Sequence, residues 1–218
     1  QPMAEKGVLD LRNFDFSDEG IIQLEGEWGF YWNRFNDPIS DEDTAALFVP
    51  VPAAWDQLSD IIPGIQSTGF GTYTLKILLP EKVETIVLCF EEVFSASGYY
   101  VNGRNQSVFG YTPSMFVVPV KDTLLDLMVH VSNFEHRSGG MRGVIELGTP
   151  MQIMSDHAEQ KHRDYFLLGA FLIIGIYFMA LFQARSDMYK LFFSLICLVM
   201  AFRIYILSNA DLYPFDWI

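Results

Sequence analysis

Tyr165 to Ala184 reads YFLLGAFLIIGIYFMALFQA, twenty positions without a charged side chain. At about 1.5 Å per residue such a run makes a helix of roughly 30 Å, the thickness of a bilayer's hydrocarbon core. A second apolar run, Leu191 to Ala210, follows a short polar break and carries one charge, Arg203. Such segments predict membrane-spanning helices over 165–184 and 189–209. The chain before them is of a different kind, so it joins a water-exposed head to at least two spans.

Charge divides at the same place. Positions 1–164 hold 24 of the 27 acidic and 11 of the 14 basic residues, which leaves the head at −13 and the remainder neutral. An acidic head lacks the basic footprint that nucleic acid requires, and it would be repelled by anionic lipid. About 160 residues suffice for one domain with its own core. Of the two cysteines, Cys89 falls in an apolar strand pattern and Cys197 in the second span, so no disulfide between them is expected. The chain starts at Gln1 without a charged-then-apolar leader, and a head that crosses a membrane needs one, so cleavage or trimming is expected. Lys161 and Arg163 before the first span balance Arg185 and Lys190 after it, and the positive-inside rule does not decide orientation. The short turn QARSDMY and the Lys- and Arg-free segment SNADLYPFDWI favour placing 210–218 and the head outside the cytoplasm, with Tyr213 and Trp217 at the interface.

Strand signals dominate 1–150. In Gln23–Trp32 the period is two, with Leu24, Trp28, Phe30 and Trp32 on one face and Glu25, Glu27 and Tyr31 on the other. Further strands are expected over Thr72–Leu79, Thr85–Phe90, Gly98–Val101, Leu124–Ser132 and Gly143–Leu147. Thr85–Phe90 is nearly all apolar, as a strand covered on both faces would be. Asn102-Gly103 marks a tight hairpin. The polar segment 151–164, MQIMSDHAEQKHRD, reads either as a helical stalk or as a solvated linker.

Several stretches carry a resemblance. LEGEWGFYWNRF, VPAAW, GFGTYTLKILLP, VLCFEEVFSASGYYVNG and LMVHVSNFEHRSGG, in this order and ahead of the two spans, resemble the type-2 extracellular sensor domain of bacterial seven-transmembrane receptors with diverse intracellular signalling modules. The same motifs are similar to the sugar-binding jelly-roll domain of family 2 glycoside hydrolases. The resemblance implies a mainly β fold, a jelly-roll (galactose-binding-like) sandwich followed by α-helical transmembrane segments. It implies a multi-pass protein of the bacterial inner membrane with a periplasmic or extracellular head. It further implies an intracellular output module after five more helices, so that this chain is a fragment. The expected partners are a small-molecule ligand, carbohydrate-like in character, and membrane lipid, with a homodimer among the assemblies the fold admits and no nucleic acid. An interaction module without a small-molecule ligand is the alternative.

Candidate residues follow from side-chain chemistry. Trp28, Phe30 and Trp32, sharing one face, are expected in the core, which leaves Tyr31 as the outward aromatic. Trp55, after the extended Val49–Ala54 segment, either plugs the end of the sandwich or lines a pocket. Asn133–Gly140, NFEHRSGG, is the loop densest in functional groups. Arg137 suits bidentate recognition of a carboxylate or sugar hydroxyls, and His136 titrates near neutral pH. Alternatively Asn133 and Arg137 brace that loop against backbone carbonyls. Asn133, His136, Arg137, Trp55, Arg104 and Tyr111 together form the expected ligand rim, with Tyr31 as an additional contact. Arg203 within the second span either snorkels to the interface or meets another helix.

No catalytic role is expected: the chain has no G-x-S-x-G elbow, phosphate loop or G-x-G-x-x-G. Glu91 and Glu92 are adjacent and would point to opposite faces of a strand, unlike a glycosidase pair. No cofactor is expected, and no metal site is legible: Asp41-Glu42-Asp43 lacks the spacing of a calcium loop, and His157 and His162 are five apart.

Overall fold

The computed structural model describes residues 1–16, 20–35, 47–90, 96–106 and 114–208. They divide into two compact units, Gln1–Ile153 and Met154–Ile218. The first is a β-sandwich. One sheet runs in the order β4 (Leu47–Val51), β3 (Gly26–Trp32), β6 (Gly69–Leu78), β11 (Leu124–Asn133), β8 (Ala96–Val101) and β9 (Arg104–Asn105), with β1 (Val8–Asp10) lying parallel to the second half of β6. The facing sheet runs β10 (Ser114–Pro119), β7 (Thr85–Phe90), β13 (Ile145–Gly148) and β2 (Ile22–Gln23). A third, two-stranded pairing joins β5 (Ala53–Ala54) to β12 (Gly140–Met141). The mainly β sandwich followed by long apolar helices is thus the observed architecture.

Alternation along the strands builds the core. Trp28 and Phe30 of β3, Tyr73, Leu75 and Ile77 of β6, Leu127, Val129 and Val131 of β11, and Tyr99 and Val101 of β8 all face inward and are buried. Ile86, Leu88 and Phe90 of β7 face them from the second sheet and belong to the same cluster. β7 lies between β10 and β13, and its other face is covered as well: Val87 and Cys89 pack with Ile153. The near-continuous apolar run at 85–90 therefore reflects burial on both sides. The Asn102-Gly103 hairpin closes as expected, with both residues at positive φ (49° and 70°).

The head ends in a helix. α1 (Pro150–Arg185) starts on a capping box: Gln152 N donates to Thr149 Oγ1 (3.4 Å), and Thr149 N donates back to Gln152 Oε1 (3.1 Å). Pro150 occupies the first helical position, where its missing N–H costs nothing. The helix is unbroken through the polar stretch 151–164 and the apolar run.

The second unit is a helical hairpin. Ser186 (φ 50°) and Asp187 connect α1 to α2 (Met188–Ser208). Ser194 Oγ donates to Gly175 O (2.8 Å), and a Cβ at Gly175 would come within 3.0 Å of Leu198, so the small residue admits close helix approach. Both helices are long and apolar enough to cross a membrane, and most of their apolar windows stay unburied, with Ile173 71% and Val199 64% exposed. The core helix of a water-soluble fold would hide those side chains. Arg203 is exposed on α2.

Candidate functional site

The expected rim does not assemble. Trp55 heads a short 3-10 helix (Trp55–Leu58) and is fully buried, its Nε1–H donating to Tyr73 Oη (2.9 Å) and its ring edge-on to Trp32 (4.9 Å between centroids). It plugs the end of the sandwich. Burial drives the Tyr73 hydroxyl's pKa well above its ordinary value. Asn133 is also fully buried and acts as the brace: Nδ2 donates to Ser67 O (2.7 Å) and His136 O (2.8 Å), and Oδ1 accepts from His136 N (3.0 Å). The glycines of this loop serve packing. A Cβ at Gly139 would lie 2.6 Å from the Trp55 ring and 2.7 Å from Asn133 Cβ, and one at Gly140 (φ 121°) would lie 2.7 Å from Ala53 O.

His136 and Arg137 sit exposed on the crest of this loop. Arg104 belongs elsewhere: it pairs with Val101, which pairs with Leu127, six residues down β11 from Asn133. At about 3.3 Å per residue that is roughly 20 Å away, toward the other end of the sheet. Tyr31 pairs with Thr72, opposite His130, and is half-buried away from the Trp28–Phe30 side. Tyr111 lies outside the described residues. The predicted set is therefore corrected: Trp55 and Asn133 are architectural, Arg104 is remote from them, and His136 and Arg137 alone remain as surface groups at that end.

The opposite end of the sandwich carries an open cleft of about 840 Å³. Its walls are the loop after β1, the connection from β6 to β7, Thr123 ahead of β11, and Thr149 at the head of α1. These segments converge because β1, β6 and β13 end here while β7 and β11 begin here. Hydroxyls from Thr85, Thr123 and Thr149 line it, as do the charged Asp15, Glu81, Lys82 and Glu84 and the apolar Val83 and Phe14. Arg12 also lines the cleft but is committed to Asp10, donating from Nε (2.9 Å) and Nη2 (2.6 Å). The guanidinium's hydrogen bonds hold the Asp10 carboxyl down to about 2.

The cleft is tied to the helix. Gln152, whose Oε1 completes the cap, donates from Nε2 to Phe16 O in the loop wall. Thr149 is at once the N-cap and a lining residue, donating from Oγ1 to Gln152 Oε1 (2.8 Å). This end is hard to read in the sequence because its residues come from strand ends scattered along the chain. One signal was available: Thr149-Pro150-Met151-Gln152 spells a cap with proline at the first helical position.

Neither a protein-family model nor a curated protein matches the chain. Among solved structures, a glycosyl hydrolase family 2 member from Bacteroides cellulosilyticus is 18% identical, with a TM-score of 0.48 over 59% of this chain and 20% of that one. The β-glucuronidase of Faecalibacterium prausnitzii is 18% identical (TM-score 0.47; 60% and 31%). The family 2 β-galacturonidase of Eisenbergiella tayi bound to galacturonate is 20% identical (TM-score 0.44; 59% and 24%). The chain spans less than a third of the length of these proteins. At such identities and TM-scores the likeness carries nothing about ligand or activity.

Proposed function

We propose that this chain is the sensing region of a bacterial membrane receptor of the seven-transmembrane class that its motifs resemble. The β-sandwich binds a small molecule outside the cytoplasm and relays the event along α1 to an intracellular output module. One observation carries this reading: the helix that contains the first apolar run starts at the edge of the sandwich, capped by Thr149, with Ile153 packed on the outer face of β7, and it is continuous from Pro150 to Arg185. A continuous helix is stiff, so a change at its cap propagates along it. Signalling further requires a ligand that prefers one arrangement of that junction, because a ligand with equal affinity for both shifts nothing.

The test is a thermal-shift screen of the full chain in lipid nanodiscs against small saccharides and metabolites. A saturable rise in melting temperature is expected for at least one compound. The second reading, an interaction module, has one observation in its favour: Met115 and Val117 stand 48% and 62% exposed on β10, which lies at the edge of its sheet among the described residues. An empty screen, together with self-association of the chain that Val117→Glu abolishes, would overturn the receptor reading in favour of the second.

A further inference from the structure

We infer that the ligand site is the cleft at the helix end of the sandwich, that it takes a polyhydroxylated compound without negative charge, and that Gln152 couples its occupancy to α1. This rests on the receptor reading above and adds the place, the ligand class and the link.

Three properties of the cleft point to that class. Its volume of about 840 Å³ accommodates a mono- or disaccharide-sized molecule. Its walls alternate hydroxyls (Thr85, Thr123, Thr149) with carboxylates and a lysine, donors and acceptors that match a ring of hydroxyl groups, while Val83 and Phe14 offer apolar surface to C–H faces. Its charge excludes anions. Arg12 is neutralised by Asp10, which leaves Lys82 against Asp15, Glu81 and Glu84, in a head already at −13. Neutral or amino-bearing polyols are favoured and uronates repelled.

The link is covalently short. Loop residues Arg12–Phe16 form one wall, and Phe16 O accepts from Gln152 Nε2 in the first turn of α1. Thr149, on the cleft surface, is the cap of the same helix. A ligand that draws the loop inward or engages the Thr149 hydroxyl acts directly on the start of α1. The exposed loop at His136 and Arg137 lies instead at the far end, where the Asn133 brace ties it to Ser67.

The experiment titrates the full chain in nanodiscs with D-glucosamine, methyl α-D-glucoside and D-glucuronate, and follows amide exchange over residues 151–154. Expected results are at least tenfold tighter binding of glucosamine and the glucoside than of glucuronate, and slowed exchange on binding. Thr123→Trp, which fills the cleft from an exposed position, should weaken binding at least tenfold. Arg137→Ala should change it less than twofold. Gln152→Glu keeps the Oε1 acceptor of the cap but removes the donor to Phe16 O. It should leave affinity within threefold and abolish the slowed exchange. Binding that survives Thr123→Trp but falls with Arg137→Ala would overturn the cleft and leave the receptor reading standing. Preference for glucuronate would overturn the ligand class. Failure of all three probes would overturn the inference, and the receptor reading falls with it only if the wider metabolite screen is also empty.

Discussion

Trp55 offers the sharpest test of how the far end of the sandwich is built. The side chain is fully buried, and its Nε1–H is bonded to the equally buried Tyr73 hydroxyl. Removing the indole leaves a cavity, so Trp55→Ala should cost about 3–5 kcal/mol. Trp55→Phe keeps most of the ring but deprives Tyr73 Oη of its donor, at about 1–3 kcal/mol, and Tyr73→Phe strands the indole N–H at a similar cost. The double variant Trp55→Phe/Tyr73→Phe has neither polar group, so its loss should fall short of the sum of the singles by roughly 0.5–3 kcal/mol. The assay is urea unfolding of the head in the nanodisc-bound chain, read by near-ultraviolet circular dichroism. With an m-value of about 1–3 kcal/mol/M, the alanine variant should lower the midpoint by on the order of 2 M. Strict additivity of the two phenylalanine variants would refute the buried pair. An unmoved midpoint for Trp55→Ala, with ligand binding lost instead, would restore tryptophan to a binding rim.

Gly139→Ala should destabilise the head by about 1–3 kcal/mol in the same assay, since its Cβ would collide with the Trp55 ring. Ile153→Ala should cost about 2–5 kcal/mol and speed amide exchange across residues 151–154, because this fully buried side chain fastens α1's first turn to Val87 and Cys89. Asp10 is held near 2, below its unfolded value, so its contribution to stability is present above about pH 4 and lost as pH falls through about 2. Arg12→Ala should therefore flatten the acid limb of a midpoint-against-pH plot. Tyr73 runs the opposite way: burial raises its pKa, so stability is whole below about pH 10 and declines above it, and Tyr73→Phe should extend the alkaline limb upward.

Sequence periodicity carried most of the fold. The period-two face of Leu24, Trp28 and Phe30 is core because alternation is a property of the strand itself. The uniformly apolar Thr85–Phe90 is covered twice, and its second cover, Ile153, comes from α1, in a segment that the sequence leaves open between a helical stalk and a solvated linker. The site was far less legible. The loop 133–140 concentrates functional groups, but density of chemistry does not distinguish a brace from a ligand contact. Asn133 spends its amide on Ser67 and His136, partners 66 and 3 residues away, and no local pattern announces the longer pairing. Side-chain chemistry alone groups Arg104 with that loop, whereas hairpin register sends it toward the other end of β11. The cleft depends on five segment ends meeting in space, which is a matter of sheet order, and sheet order is not written in any one stretch of chain.

The central claim is that an aqueous β head continues, through one capped helix, into a hairpin buried in lipid. Cysteine accessibility in nanodiscs addresses it directly, because both native cysteines are buried and both membrane faces are open to reagent. Lys121→Cys on the head and Ile173→Cys in the first apolar run are each placed at exposed positions of the isolated chain. With a membrane-impermeant maleimide, Lys121→Cys should react within minutes while Ile173→Cys stays unlabelled until detergent denaturation. Rapid labelling of Ile173→Cys in the intact disc, or a chain that remains monodisperse without lipid or detergent, would contradict the account.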